Sequence, residues 1–404
     1  MTGVTPLSSF LGRHGLALPE LGRELESRLS LKEGEWLFAA GSLVEGLGND
    51  CSDLDVYIVT ADVERVETRS TSQALDLNGV MVDIEVIRRN EIERLASRFE
   101  RWLTHRDLVS DCFAITERER LLLHRLATSV CLSSHAEELV RIQQVLTVTR
   151  LAQHKLDWAV AWIGTLQADL EGLRRVGDWE TMMSVALDLL GYSLDALLAA
   201  HRKTNPTPKW RFSLLRALAP DWEEGMPGLP TRTTAISAAV TLFCTPTELS
   251  PQSVYEWVLS ILAFSRRIVP WAEWQLLGLG TPFAALQRRT ATRNELPLGH
   301  LALGVQLRYR DGRFKIQSVT RCGYCVTVSK ELISLLCLFD GTTSRETLRF
   351  GDNADEEAKQ LDGANALVRL NGFFADPFND WNSIAATLLD SVVGLPRFSG
   401  RSSS

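Results

Sequence analysis

The chain has 404 residues, a formal net charge of −7, and 45% hydrophobic and 23% charged residues, the balance of a soluble globular protein. That length exceeds one ordinary core and predicts two or three domains, while the acidic balance weighs against long contact with a nucleic-acid backbone, which needs a basic face. No apolar run approaches the roughly 18 residues of a bilayer span, and the start, MTGVTPLSSFLGRHG, holds no apolar leader core.

The seven cysteines (51, 112, 131, 244, 322, 325, 337) are spread widely and read as reduced thiols. A cytoplasmic protein with no membrane partner is expected.

Apolar residues at helical spacing predict a helix over Leu21–Leu31, closed by Gly34. Trp36–Ala40 reads as a short buried strand ending at Gly41, and Ser42 as the cap of a brief helix to about Leu47. Asp55–Thr60 is a second strand; Val80–Ile87, after the Asn78-Gly79 turn, is a third. These elements predict a small α/β domain. From about Glu117 to Arg216 apolar residues repeat at three-four spacing, including LVRIQQVLTVTRLAQHKLDWAVAWIGTLQADLEGL as one helical stretch. Asn205–Pro208 breaks the run, and more helix is expected to about Leu277, interrupted by PDWEEGMPGLP at 220–230. LRYRDGRFKI then alternates around Asp311-Gly312 as a hairpin, Cys325–Val328 adds a strand, and Lys330–Phe339 a helix stopped by Asp340-Gly341. Residues 344–349 and 354–371 are expected to be helical, and the GRSSS tail disordered.

The chemistry concentrates in GSLVEGLGNDCSDLD, residues 41–55. Asp53 and Asp55, one residue apart at a strand start, would leave the same face, and paired carboxylates repel unless a cation lies between them. Magnesium wants such hard oxygen ligands. Asp83 and Glu85 share a face of the third strand, and either could complete a two-metal site. Gly41 lets backbone approach a phosphate, and Ser42 opens a turn whose free N–H groups favour an anion.

Gly41-Ser42, ten residues, then Asp53-Leu54-Asp55 and an apolar strand resembles the signature of the polymerase-β-like nucleotidyltransferases. The resemblance implies that Gly41 and Ser42 bind triphosphate, and that two magnesium ions sit on Asp53, Asp55 and a third acid, Asp83 in preference to Glu85. It covers roughly residues 30–90. The segment MMSVALDLLGYSLDALLAAHRKTNPTPKWRFSLLRAL looks like the helical domain of kanamycin-type and other small-molecule nucleotidyltransferases. Arg202, Lys203, Lys209 and Arg211 cluster around its break, and Lys209 is the preferred cation for the triphosphate. Asp188 and Asp195 are possible general bases, Asp188 first. His154 and His201 read as ordinary surface or core residues.

Cys322 and Cys325 form a CxxC without a second pair, so structural cysteines are expected. The stretch from Val326 to Phe374 is similar to small winged-helix-like domains that recognise precursor peptides. The resulting expectation is an α+β protein: a nucleotidyltransferase domain with a mixed sheet (1–112), a helical bundle (113–295), a small winged-helix-like domain (296–395) and a tail (396–404). It would move a nucleoside monophosphate from a triphosphate to a small-molecule or peptide acceptor, releasing pyrophosphate. Alternatives are a toxin or defence enzyme modifying tRNA, against which the charge balance weighs, and a non-catalytic nucleotide-sensing scaffold.

Overall fold

The computed structural model describes residues 5–62, 73–104, 114–133, 136–218, 221–226, 229–277, 287–288, 300–319, 325–340 and 348–349. Helices α1 (Pro6–Arg13) and α2 (Leu18–Leu29) lead into strand β1 (Trp36–Ala40). Thr5 caps α1, a helix not expected from the glycine-broken start. Ser30, in the left-handed conformation, ends α2, so Gly34 lies in the turn ahead of β1 instead of closing the helix. β2 (Leu54–Thr60), β3 (Gln73–Leu77) and β4 (Val80–Arg88) follow, then α3 (Arg89–Thr104), α4 (Glu117–Thr128) and β5 (Val130–Cys131).

These five strands form one mixed sheet in the order β3-β4-β2-β1-β5, with β2 and β4 parallel and the other pairs antiparallel. Alternation along the strands gives the sheet two buried faces. Leu37, Ala39, Val56, Ile58 and Val82 pack with Leu7, Leu11, Leu21 and Leu25 of the first two helices. Trp36, Phe38, Tyr57, Val59 and Ile87 pack instead with Ile92, Leu95, Phe99 and Trp102 of α3 and with Leu123 and Leu126 of α4.

The expected continuous helix after residue 139 is broken. α5 (Ala136–Val145) stops, Thr147 takes an extended conformation and its hydroxyl accepts from the Arg150 N–H, and α6 (Val148–Val176) starts anew. α7 (Trp179–Ala200) meets by length and composition the requirement for a bilayer span, yet 67% of its apolar window is buried inside the protein. A single 3-10 turn, Pro208–Trp210, precedes α8 (Arg211–Arg216). The interruption at 220–230 contains a hairpin of β6 (Asp221–Met226) and β7 (Leu229–Thr231) before α9 (Arg232–Phe243) and α10 (Pro251–Leu276).

A short β8 (Gln287–Arg288) is followed by the expected hairpin, β9 (Val305–Arg310) and β10 (Arg313–Ser318), with β11 (Cys325–Val328) on its other edge. α11 spans Lys330–Leu336. β12 (Leu348–Arg349) pairs antiparallel with β8, so the helix expected over 344–349 is not formed at those two residues. An isolated helix of that length lacks the turns to repay its nucleation, and strand pairing prevails. The helix expected over 354–371, the rest of the winged-helix-like match and the tail lie outside the described residues.

Helices α6, α7 and α10 and the β9–β11 sheet share one core, in which Leu189, Leu262, Trp271, Leu307 and Phe339 all take part. Two arginines of α10 stitch this core. Buried Arg266 donates to the carbonyls of Leu301 and Val305 at 3.0 and 2.9 Å, and Arg267 to the Cys337 carbonyl at 3.1 Å and to the Asp340 carboxylate. Pro270 inside α10 has no N–H to offer the Arg266 carbonyl four residues back. The Cys337 thiol, 3.3 Å away, donates to that carbonyl instead.

Candidate active site

The register of the parallel pair decides which acids meet. Asp55 on β2 lies opposite Asp83 on β4, and Tyr57 opposite Glu85, so the two aspartates form one row and Glu85 belongs to the next. Both rows face α3 and α4. Asp53 stands one residue ahead of β2 and is exposed, whereas Asp55 and Asp83 are half-buried. Desolvation raises the Asp55 carboxyl above the usual carboxylate range; Arg125 opposes this, and the charges of Asp53 and Asp83 push the same way as burial. Lys209, far off in sequence, also lowers it. The row therefore senses both neighbouring acids and the cation expected from the helical region.

Gly41 follows β1 with φ of 86°, a left-handed conformation. An added Cβ there would stand 1.9 Å from Asp55 Oδ2, so the chain presses against the carboxylate at a point where only glycine fits. The segment after it is a hydrogen-bonded turn instead of the expected short helix. The Glu45 N–H donates to the Gly41 carbonyl at 3.1 Å, and the N–H groups of Leu47 and Gly48 both donate to the Ser42 carbonyl, at 2.8 and 2.9 Å. Gly46, with φ of 73°, lets the turn close back on Ser42 before helical bonds propagate. A Cβ at Gly48 would meet Ser42 Oγ and Ser52 Oγ at 3.1 Å each, so both hydroxyls flank one point of the turn.

Arg125 of α4 was not anticipated. Its guanidinium lies 3.3 Å from Asp55 Oδ1, donates to the Tyr57 hydroxyl, and covers the Tyr57 ring 5.4 Å from its centroid. One turn pair earlier on the same helix, Arg118 reaches Glu85 at 3.2 Å. The signal was present: arginines seven residues apart share a helix face, and the acids at 83 and 85 alternate on a strand. Beside them lies a cavity of about 250 Å³ lined by Tyr57, Glu85, Glu91, Arg118, Leu121 and Arg125, among others.

No protein-family model matches the chain, and no curated protein matches it. A nucleotidyltransferase-like protein of known structure from Exiguobacterium sibiricum is similar at 12% identity over 65% of this chain and 79% of the other, with a TM-score of 0.34.

The donor chemistry of the row, carboxylate oxygens, is of the hard kind that divalent cations such as magnesium take. Among the described residues, no three His, Cys, Asp or Glu side chains converge closely enough to hold an ion in the present arrangement. Here the guanidinium of Arg125 lies against Asp55.

The remaining sequence candidates separate. Asp195 is buried and committed to Arg211 at 2.6 Å and Lys155 at 3.4 Å, an internal ion-pair network. Asp188 is exposed on α7. His154 packs against Trp102 and Phe99, and burial pushes it down to about 3; burial likewise pushes His201 down to about 4. His154 is a core residue and His201 a partly buried one at the end of α7. Cys325 is a free exposed thiol, and Cys322 lies outside the described residues.

Proposed function

We propose that the chain is a nucleotidyltransferase that transfers a nucleoside monophosphate from a nucleoside triphosphate to a small acceptor molecule, with release of pyrophosphate. The observation that carries this reading is the placement of Asp55 beside Asp83 in register, with the Gly41 backbone pressed against Asp55. A phosphate-binding turn and a pair of metal-binding acids serve one triphosphate only when they adjoin.

Asp53, Asp55 and Asp83 would hold magnesium, with two ions expected. When bound, the metal neutralises triphosphate charge and lowers the cost of developing charge on the leaving oxygen. The Gly41–Gly48 turn orients the phosphates with backbone N–H groups and the Ser42 hydroxyl. Lys209 supplies a cation to the phosphate oxygens from the helical side. Arg125 holds Asp55 in place by direct contact and also braces the neighbouring Tyr57 hydroxyl. Glu85, paired with Arg118, lines the cavity in which an acceptor of small size fits. Holding the acceptor oxygen in line with the α-phosphorus accounts for most of the rate such a site can give.

The test is incubation with each of the four α-labelled ribonucleoside triphosphates, magnesium and a panel of hydroxyl- and amine-bearing small molecules. The unaltered chain is expected to move the label onto an acceptor with release of unlabelled pyrophosphate, and Asp53→Asn with Asp55→Asn to fall to background. Equal turnover by the double variant overturns the reading.

A further inference from the structure

Glu45 and Asn205 are separated by 160 positions and touch. The Asn205 Nδ2 donates to Glu45 Oε1 at 3.0 Å. Glu45 belongs to the Gly41–Gly48 turn; Asn205 heads the segment that carries Lys209. Asn205 is buried, at 5% exposure, and its side-chain oxygen and its carbonyl each have a partner as well. Its Oδ1 accepts from the Thr207 N–H at 2.9 Å, a local turn that feeds directly into the 3-10 turn Pro208–Trp210. Its carbonyl accepts from Lys155 Nζ at 2.6 Å, and the same ammonium reaches the Lys203 carbonyl at 3.2 Å.

A second strut runs alongside. His124 Nε2 lies 3.0 Å from the same Glu45 oxygen, and His124 Nδ1 shares a 3.0 Å hydrogen bond with Thr204 Oγ1. Prolines 206 and 208 fix φ on either side of Thr207, which leaves the backbone from Asn205 to Lys209 little freedom. Lys209 lies in the 3-10 turn Pro208–Trp210 into which this braced segment runs.

We propose that Asn205 is a positioning residue: through Glu45 it locks the Gly-Ser turn to the Lys209 segment, so that both close on one triphosphate as a unit. The inference rests on the nucleotidyltransferase reading, since it assumes that turn and lysine share a phosphate ligand. A buried amide bonded to a carboxylate is the strong kind of hydrogen bond, and its loss leaves the two segments joined only by the His124 contact.

Binding of magnesium–ATP, –GTP, –CTP and –UTP is measured calorimetrically, using whichever binds the unaltered chain most tightly. Asn205→Ala is expected to weaken Kd roughly tenfold, and Lys209→Ala roughly ten- to a hundredfold. The double variant is expected to bind no more weakly than Lys209→Ala alone, because the brace acts through the lysine. Glu45→Gln, whose amide oxygen still accepts, is expected to stay within about twofold of the unaltered chain, and Glu45→Ala, which also removes the His124 contact, to weaken Kd at least as much as Asn205→Ala. Losses that multiply in the double variant, or an unchanged Kd in a folded Asn205→Ala chain, overturn the positioning role and leave the nucleotidyltransferase reading standing. An unchanged Kd in Lys209→Ala overturns the role as well. Absence of binding by the unaltered chain overturns both; if Asn205→Ala does not fold, Glu45→Ala and Glu45→Gln decide.

Discussion

Asp55 holds opposed influences in balance. Burial and two neighbouring aspartates raise its carboxyl, while Arg125 and Lys209 lower it. Removing Arg125 takes away the foremost opposing charge, so in Arg125→Ala the carboxyl rises further and a larger fraction is protonated in mild acid. Binding of a divalent cation needs the ionised form. Manganese titrations at pH 5.5 and 7.5 are therefore expected to give a wider ratio of dissociation constants in Arg125→Ala than in the unaltered chain. At Gly41, alanine meets two penalties, a left-handed φ of 86° and a Cβ 1.9 Å from Asp55 Oδ2. Gly41→Ala is expected to cost about 1–3 kcal/mol in denaturant unfolding and to abolish pyrophosphate release, since the side chain displaced is the acid itself. The Gly-Ser pair and the acids could be read from type and spacing. Glu45 and Asn205 could not, because each acts through a partner that only the folded chain brings near, and the helix-face spacing of Arg118 and Arg125 marked a shared face but not the acids they meet.

At the scale of elements, the break at Thr147 shows where pattern reading stops. Apolar residues continue at helical spacing through VLTVTRLA, so periodicity alone predicts one helix, yet the threonine hydroxyl satisfies the Arg150 N–H and starts a new one. Thr147→Ala is expected to lower stability by about 1 kcal/mol in chemical denaturation. The hairpin at 305–318 was legible because Asp311-Gly312 suits positive φ, and both residues adopt it, at 54° and 72°. The hairpin at 221–231 was not, since Asp-Trp-Glu-Glu carries little of the β-branched content that marks a strand. In α10, Cys337 shields a carbonyl that proline leaves without its helical partner. Burial pushes its thiol up to about 12, so it stays protonated and able to donate. Cys337→Ala is expected to destabilise by roughly 1–3 kcal/mol and Cys337→Ser by less, since a hydroxyl restores the donor.

For the molecule as a whole, three of the described histidines contribute to the response to acid. Burial pushes His154 down to about 3 and His201 and His300 to about 4, against 6.5 for the ordinary side chain. In the unfolded chain each takes up a proton near pH 6.5 that the folded chain refuses. Stability is thus fully present above about pH 6.5 and falls as pH drops toward 4 and then 3, by up to about 1.4 kcal/mol per pH unit for each histidine. Urea midpoints between pH 7.5 and 4.5 are expected to fall, and His154→Phe to flatten the decline. The core shared by the long helices and the β9–β11 sheet has a consequence of its own. If the strands beyond residue 300 were cut away, Arg266 and Arg267 would lose their acceptors, which lie in 301–340, and the apolar side chains of α10 that pack on those strands would face water. A gene trimmed between helices and strands should therefore yield an insoluble product instead of a smaller folded protein.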